Sequence, residues 1–257
     1  MALPSAGDLF APLAPLLQAF PTTPSLSSLQ QLLARQMVFT RSGQALRFVL
    51  PPNDGQAYER RIWQSGKVAT RPESWHDFFN ALVWLTFPQT KGALNARHVQ
   101  LSVQETAPRG RGRDALTHFD ECGAMLVASD RSLLHLIREF RWKSLFWERR
   151  SALQTSLRCF VFGHGTYEQL LQPFRGLTAK AVLYEVDAAW LRLPLAEQLR
   201  WLDRRAADEW LNNHYDQPHA LQPLPLMGFP GLTPANQSPE YYDDHWQFRP
   251  GRRQASV

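Results

Sequence analysis

Apolar residues recur at helical spacing over residues 8–20 and again over 26–38, which predicts two N-terminal helices. Between them PTTPSLSS is a Pro/Ser turn, and Ser25 or Ser27 stands where a helix N-cap belongs. ALRFVL at 45–50 reads as a short strand stopped by Pro51-Pro52-Asn53-Asp54-Gly55, and residues 57–72 fit neither period. Ser74 opens the clearest helix, SWHDFFNALVWLTF, which ends before Pro88. Its apolar residues Trp75, Phe78, Phe79, Ala81, Leu82, Val83, Trp84 and Leu85 run around nearly the whole circumference, so this helix is expected to be buried. Further helices are expected at 89–104 and 113–120, flanking the Pro/Gly/Arg loop APRGRGR. Strands follow at 124–128, 157–162 and 179–186, with helical stretches at 130–153 and 164–172 between them and an amphipathic helix at 195–213.

Helices outnumber short strands and do not alternate strictly with them, so the expected fold is α+β, mostly helical with a small sheet of short strands. Residues 1–216 read as a single compact domain with the helices of 8–38 packed on it; the loop at 107–113 is the strongest candidate for an internal boundary. From 217 on, seven of the last 41 residues are Pro, and residues 217–257 are expected to wrap the domain as an extended tail rich in Pro and aromatic residues. An aromatic content of 12%, with nine Trp, excludes a disordered chain. Two cysteines, Cys122 and Cys159, make neither a disulfide framework nor a CxxC pair. The N-terminus lacks a basic n-region, and no run of ~18 apolar residues occurs. A reduced, cytoplasmic chain without a membrane span is therefore expected.

The net charge of +5 changes this picture only locally. Residues 129–180 carry a net +5 and residues 181–257 a net −3. The excess lies in Arg131–Arg158, where Arg138, Arg141, Lys143, Arg149 and Arg150 alternate with Phe140, Trp142, Phe146 and Trp147. Such a stretch can neutralise and stack on a nucleic acid strand or hold another anion, or it is an amphipathic helix with its cations in water.

Candidate chemistry sits on the elements that read as buried. His76, Asp77 and Asn80 lie on the apolar helix, His76 and Asn80 on one face, and a buried polar group needs a partner. Asp77 alternatively only helps to cap the turn after Ser74. Lys91, Asn95 and His98 share a face of the next helix, which taken alone reads as solvated and together with the apolar helix reads as the polar seam of an αα-hairpin. RDALTHFDE supplies Asp114, His118, Asp120 and Glu121, residue types that suit a divalent zinc or manganese ion; Asp114 also suits a helix start. FGHGTYE places His164 between a strand and a helix, with Glu168 four residues on. Cys122 follows two carboxylates that oppose thiolate formation. P-loop, dinucleotide-binding, HExxH and GxSxG motifs are absent.

SWHDFFNALVWLTFPQTKGALNARH, RGRDALTHFDECG, FGHGTYEQLL with PFRGLTAKA, and LPLMGFPG with YYDDHWQFRP together resemble the bacterial DUF3025 family. The matching motifs span about residues 58–250, most of the chain. The resemblance implies a bacterial, cytoplasmic protein and carries over no reaction and no catalytic residue.

Three functions follow from the residues. The first is an enzyme, a hydrolase or transferase acting on a small or anionic substrate. His76, Asp77, Asn80, His164 and Glu168 are its catalytic candidates, and His98, Asp114, Asp120 and Glu121 its candidate ligands for a divalent metal. One site then requires the imidazoles of His76 and of His98 or His164 within ~8 Å of each other. The second is a nucleic-acid or anion-binding protein using Lys91, Arg138, Arg141 and Lys143. The third is a structural or assembly protein whose aromatic tail docks a partner.

Overall fold

Residues 7–18, 25–104 and 110–251 are described by the structure, a computed structural model. Residues 19–24 of the first predicted helix and turn, 107–109 of the Gly/Arg loop and 252–257 of the tail lie outside them. Pro12 withholds a backbone donor, and the first described residues form a 3₁₀ stretch, Gly7–Leu13, that becomes one α-turn, α1 (Ala14–Leu17). Ser25 Oγ accepts the Ser28 N–H and caps α2 (Leu26–Ala34). The stretch with no clear period resolves into α3 (Tyr58–Ser65) and a three-residue strand, β2 (Lys67–Ala69), paired in parallel with β1 (Arg47–Val49).

Ser74 caps α4 (Trp75–Thr86), which is buried from Asp77 to Leu85, as a helix apolar on every side must be. Pro88 ends it and serves as the first residue of α5 (Pro88–Gln104). That helix start is capped from afar. Asp203 of α10 (Leu195–Leu211) accepts the N–H groups of Gln89 at 3.0 Å and Thr90 at 2.7 Å.

The main sheet has the order β4-β3-β5-β6, built from β3 (Gly123–Ala128), β4 (Leu157–Val161), β5 (Thr178–Glu185) and β6 (Gln222–Pro225). β3 and β5 are parallel; β4 and β6 run antiparallel on the outside. Every residue of β3 is buried, so helices cover both its faces. The fold is α+β and mostly helical, with small sheets.

The predicted helix at 130–153 is broken. α7 (Arg131–Arg138) stops where Phe140 takes φ +54°, a π-helical turn follows at Ser144–Glu148, and α8 (Arg150–Ser156) leads into β4. The break turns Trp142 and Phe146 inward. There Phe146 packs against Phe229, Tyr242 and Phe248, and Trp142 Nε1 donates to Arg249 O. The Pro-rich C-terminal segment is accordingly not uniformly extended: it supplies an edge strand and a series of 3₁₀ turns over 226–243. At the other end of the chain, Phe10 packs its ring on Phe79 of α4 and on Tyr167 of α9 (His164–Gln169).

Candidate metal centre

The first turn of α4, the last turn of α6 (Arg111–Cys122) and the first turn of α9 meet at one cleft. Each is locally fixed. Asp77 accepts from Arg71 three times, from the backbone N–H at 2.7 Å, from Nε at 2.9 Å and from Nη2 at 2.8 Å. Burial alone raises the Asp77 carboxyl, but these bonds prevail and hold it below its ordinary value. His76 sits beside this anchor. His164 follows β4 through Phe162 and Gly163, whose N–H groups both donate to Gly123 O, at 2.9 and 2.8 Å. A Cβ on Gly163 would lie 2.4 Å from Gly123 N, and one on Gly165 would lie 2.8 Å from Glu121 Oε2. The glycines flanking His164 therefore let α9 approach the end of α6.

The result is a triangle of donors. His76 Nε2 and His164 Nε2 are 3.1 Å apart, His164 Nε2 and Glu121 Oε1 3.4 Å, and His76 Nε2 and Glu121 Oε1 3.8 Å. Three atoms so spaced leave a point in their plane about 2.0 Å from each, the length of a Zn–N or Zn–O bond. His76, Glu121 and His164 are thus able to hold one metal ion. The imidazole rings of His76 and His164 are 4.5 Å apart.

Further polar groups lie against the residues of the triangle. His76 Nδ1 meets Glu168 Oε2 at 3.0 Å. A carboxylate only accepts, so that nitrogen carries the hydrogen and Nε2 presents its lone pair. His164 is 5% exposed in its side chain, and its Nδ1 lies 3.8 Å from Asp120 Oδ2. Asp120 Oδ1 in turn meets Lys91 Nζ at 2.5 Å, and the same ammonium donates to Asn80 Oδ1 at 2.8 Å. Asn80 Nδ2 donates to the Tyr58 hydroxyl at 2.8 Å. Burial raises the Asp120 carboxyl, yet the charge of Lys91 outweighs it and keeps the group low. Glu121 is likewise held low, burial being overcome first by its hydrogen bond with His164.

The triangle opens on a cleft of about 780 Å³, whose far wall includes Tyr58, Arg60, His98, Ser102 and Arg113. That volume suits a small-molecule ligand.

The remaining candidates fall elsewhere. His98 lines the cleft but gives no donor to the triangle, and Asp114 lies in the first turn of α6, away from it. Asp120 is held by Lys91 rather than pointing at the triangle's centre. Lys91, expected with an anion-binding surface, is buried, because Asp120 and Asn80 compensate its charge inside the protein. Asn95, its neighbour on the face that read as solvated, is buried against Glu59. Arg138 and Arg141 are exposed. Lys143 is paired with Asp243, Arg149 with Asp130, and Arg150 donates to Asn236 O. Of the four aromatic residues of the nucleic-acid reading, Trp142 and Phe146 are buried, and Phe140 and Trp147 are half-buried. Burial, and next the charge of Glu121, push the Cys122 thiol up, away from a thiolate. Arg71 and Tyr58 were not singled out from the sequence: Arg71 lies before the cap of α4, and Tyr58 lies in the stretch with no period.

Among the described residues no helix is long and apolar enough to cross a membrane. Neither a curated protein nor a solved structure matches the chain. A family model described as a protein of unknown function, DUF3025, matches residues 46–252, which include all the residues of the triangle and its surroundings. By that match the chain belongs to the DUF3025 family.

Proposed function

We propose that this protein is a metal-dependent hydrolase or group transferase with a His₂Glu centre made by His76, His164 and Glu121. The observation that carries the proposal is the convergence of His76 Nε2, His164 Nε2 and Glu121 Oε1 on a single point at metal-bond distance. Three protein donors beside an open cleft form the pattern of a catalytic rather than a structural zinc site, which closes its fourth position with a fourth side chain. A divalent ion in this place lowers the pKa of a bound water toward neutrality and polarises a substrate oxygen. The chain's own residues do the rest. Glu168 fixes the ring and tautomer of His76. Asp77 and Arg71 anchor the turn that carries His76. The cleft wall carries both cations, Arg60 and Arg113, and carboxylates, Glu59 and Asp120, and so offers groups of both signs to a small polar substrate.

A second reading rests on the pair His76–Glu168 alone, in which Glu168 orients the imidazole and His76 Nε2 acts as general base without a metal.

Elemental analysis and zinc titration of the purified protein separate the two. The metal reading expects one zinc per chain, retained by the native protein and lost in His76→Ala and in His164→Ala. A native chain that binds no zinc overturns it and leaves the His76–Glu168 base.

A further inference from the structure

We infer that Asp120, clamped by Lys91, is the positioning residue for His164, and that it takes the Nδ1–H of that histidine when Nε2 serves as a ligand. This rests on the metal reading above.

The two histidines of the triangle are built alike but are in different states. Each turns Nε2 toward the common point, and each turns Nδ1 toward a carboxylate. For His76 the second contact is made, at 3.0 Å to Glu168. That bond places the hydrogen of His76 on Nδ1 and makes its Nε2 an acceptor. The hydrogen between the two Nε2 atoms, 3.1 Å apart, therefore belongs to His164. The same hydrogen bars His164 Nε2 from ligation and leaves its Nδ1 with a bare lone pair. The structure agrees: His164 Nδ1 is buried and has no hydrogen-bond partner among the described residues.

Ligation through Nε2 requires the other tautomer of His164. Its hydrogen leaves Nε2 and a hydrogen is taken up at Nδ1, so the ring stays neutral and the proton count is unchanged. A buried Nδ1–H then needs an acceptor. Asp120 Oδ2 is at 3.8 Å, a short side-chain movement from hydrogen-bond distance. Asp120 is able to serve because, among the described residues, Lys91 takes its Oδ1 and no hydrogen bond takes its Oδ2. Lys91 is itself 4% exposed in its side chain and bound to Asn80, so the carboxylate is held in place and its charge is matched. Carboxylate–histidine–metal chains of this kind orient the ring and strengthen the ligand. The network Tyr58–Asn80–Lys91–Asp120 thereby acquires a purpose beyond filling the interior.

The test uses the full chain and zinc alone, with affinity read by competition against a chromophoric chelator and tautomers read by imidazole ¹⁵N NMR. Asp120→Asn is expected to weaken zinc binding by about 10–100-fold. Zinc-loaded native protein is expected to show a hydrogen on Nδ1 of both histidines, and the His164 signal is expected to move in Asp120→Asn while that of His76 stays. Should Asp120→Asn fail to fold with Lys91 unpaired, the double variant Lys91→Met with Asp120→Leu removes both charges and is expected to show the same loss of affinity. Zinc affinity equal to the native in a folded variant, or zinc on Nδ1 of His164, overturns the role of Asp120 and leaves the metal reading standing. Absence of zinc binding in the native chain overturns the metal reading itself.

Discussion

Gly163 and Gly165 flank the same histidine, yet a methyl group added to each meets different matter. At Gly163 it collides with backbone, Gly123 N at 2.4 Å and Glu121 O at 2.5 Å, which has nowhere to go. At Gly165 its nearest neighbour is Glu121 Oε2 at 2.8 Å, the far end of a flexible side chain, with the Glu121 carbonyl oxygen less crowded at 3.0 Å. Gly163→Ala is therefore expected to cost about 1–3 kcal/mol of stability, seen as a lower unfolding midpoint. Gly165→Ala is expected to fold and to lose about tenfold in zinc affinity by displacing Glu121; unchanged zinc binding there would mean that Glu121 is not a ligand. His76 was legible because a polar ring on a helix that is apolar all round has to be explained, and His164 because it stands at a strand end between two glycines. Lys91 and Asn95 were legible only as a seam between two helices, not as buried groups. Their own helix reads as amphipathic, and the groups that satisfy them, Asp120, Asn80 and Glu59, come from three other helices.

Helix α5 carries Lys91 in its first turn and has no capping residue of its own before Pro88; Asp203, more than a hundred residues later, supplies the cap. Removing that carboxylate leaves two backbone N–H groups, one of them buried, without an acceptor. Asp203→Ala is expected to destabilise the protein by about 2–4 kcal/mol in urea unfolding. A change below about 0.5 kcal/mol would show that other groups satisfy this helix start. Periodicity found α4, α10 and the strands β3, β4 and β5 because each has enough residues to repeat a pattern. It placed β1 within the stretch 45–50 with the help of the turn that follows, and missed β2, whose three residues are too few to show alternation. It also ran α7 and α8 together. The break at Phe140 follows from the demand of Trp142 and Phe146 for the C-terminal aromatics, a tertiary cause with no local signature.

One connected core runs from Leu9 to Phe248, so both ends of the described chain belong to it. The segment after 216 was expected to lie over a finished domain, yet it completes the sheet with β6 and buries Leu224, Leu226, Tyr242 and Phe248. A chain cut after residue 216 exposes Phe146 and the edge of β5. We expect such a fragment to lose cooperative thermal unfolding, and a fragment that unfolds sharply would show that the segment is an accessory.

At the opposite end, Phe10 lies outside the 46–252 stretch that the family model matches, and its ring packs on the helices behind the triangle. Mechanically it is a buttress. Phe79 and Tyr167 stack directly on each other at 5.7 Å, and Phe10 backs both rings, bracing the helix bearing His76 against the helix bearing His164. On the metal reading proposed above, side chains at this brace tune the spacing of the two histidines, and with it the choice of ion, without touching a ligand.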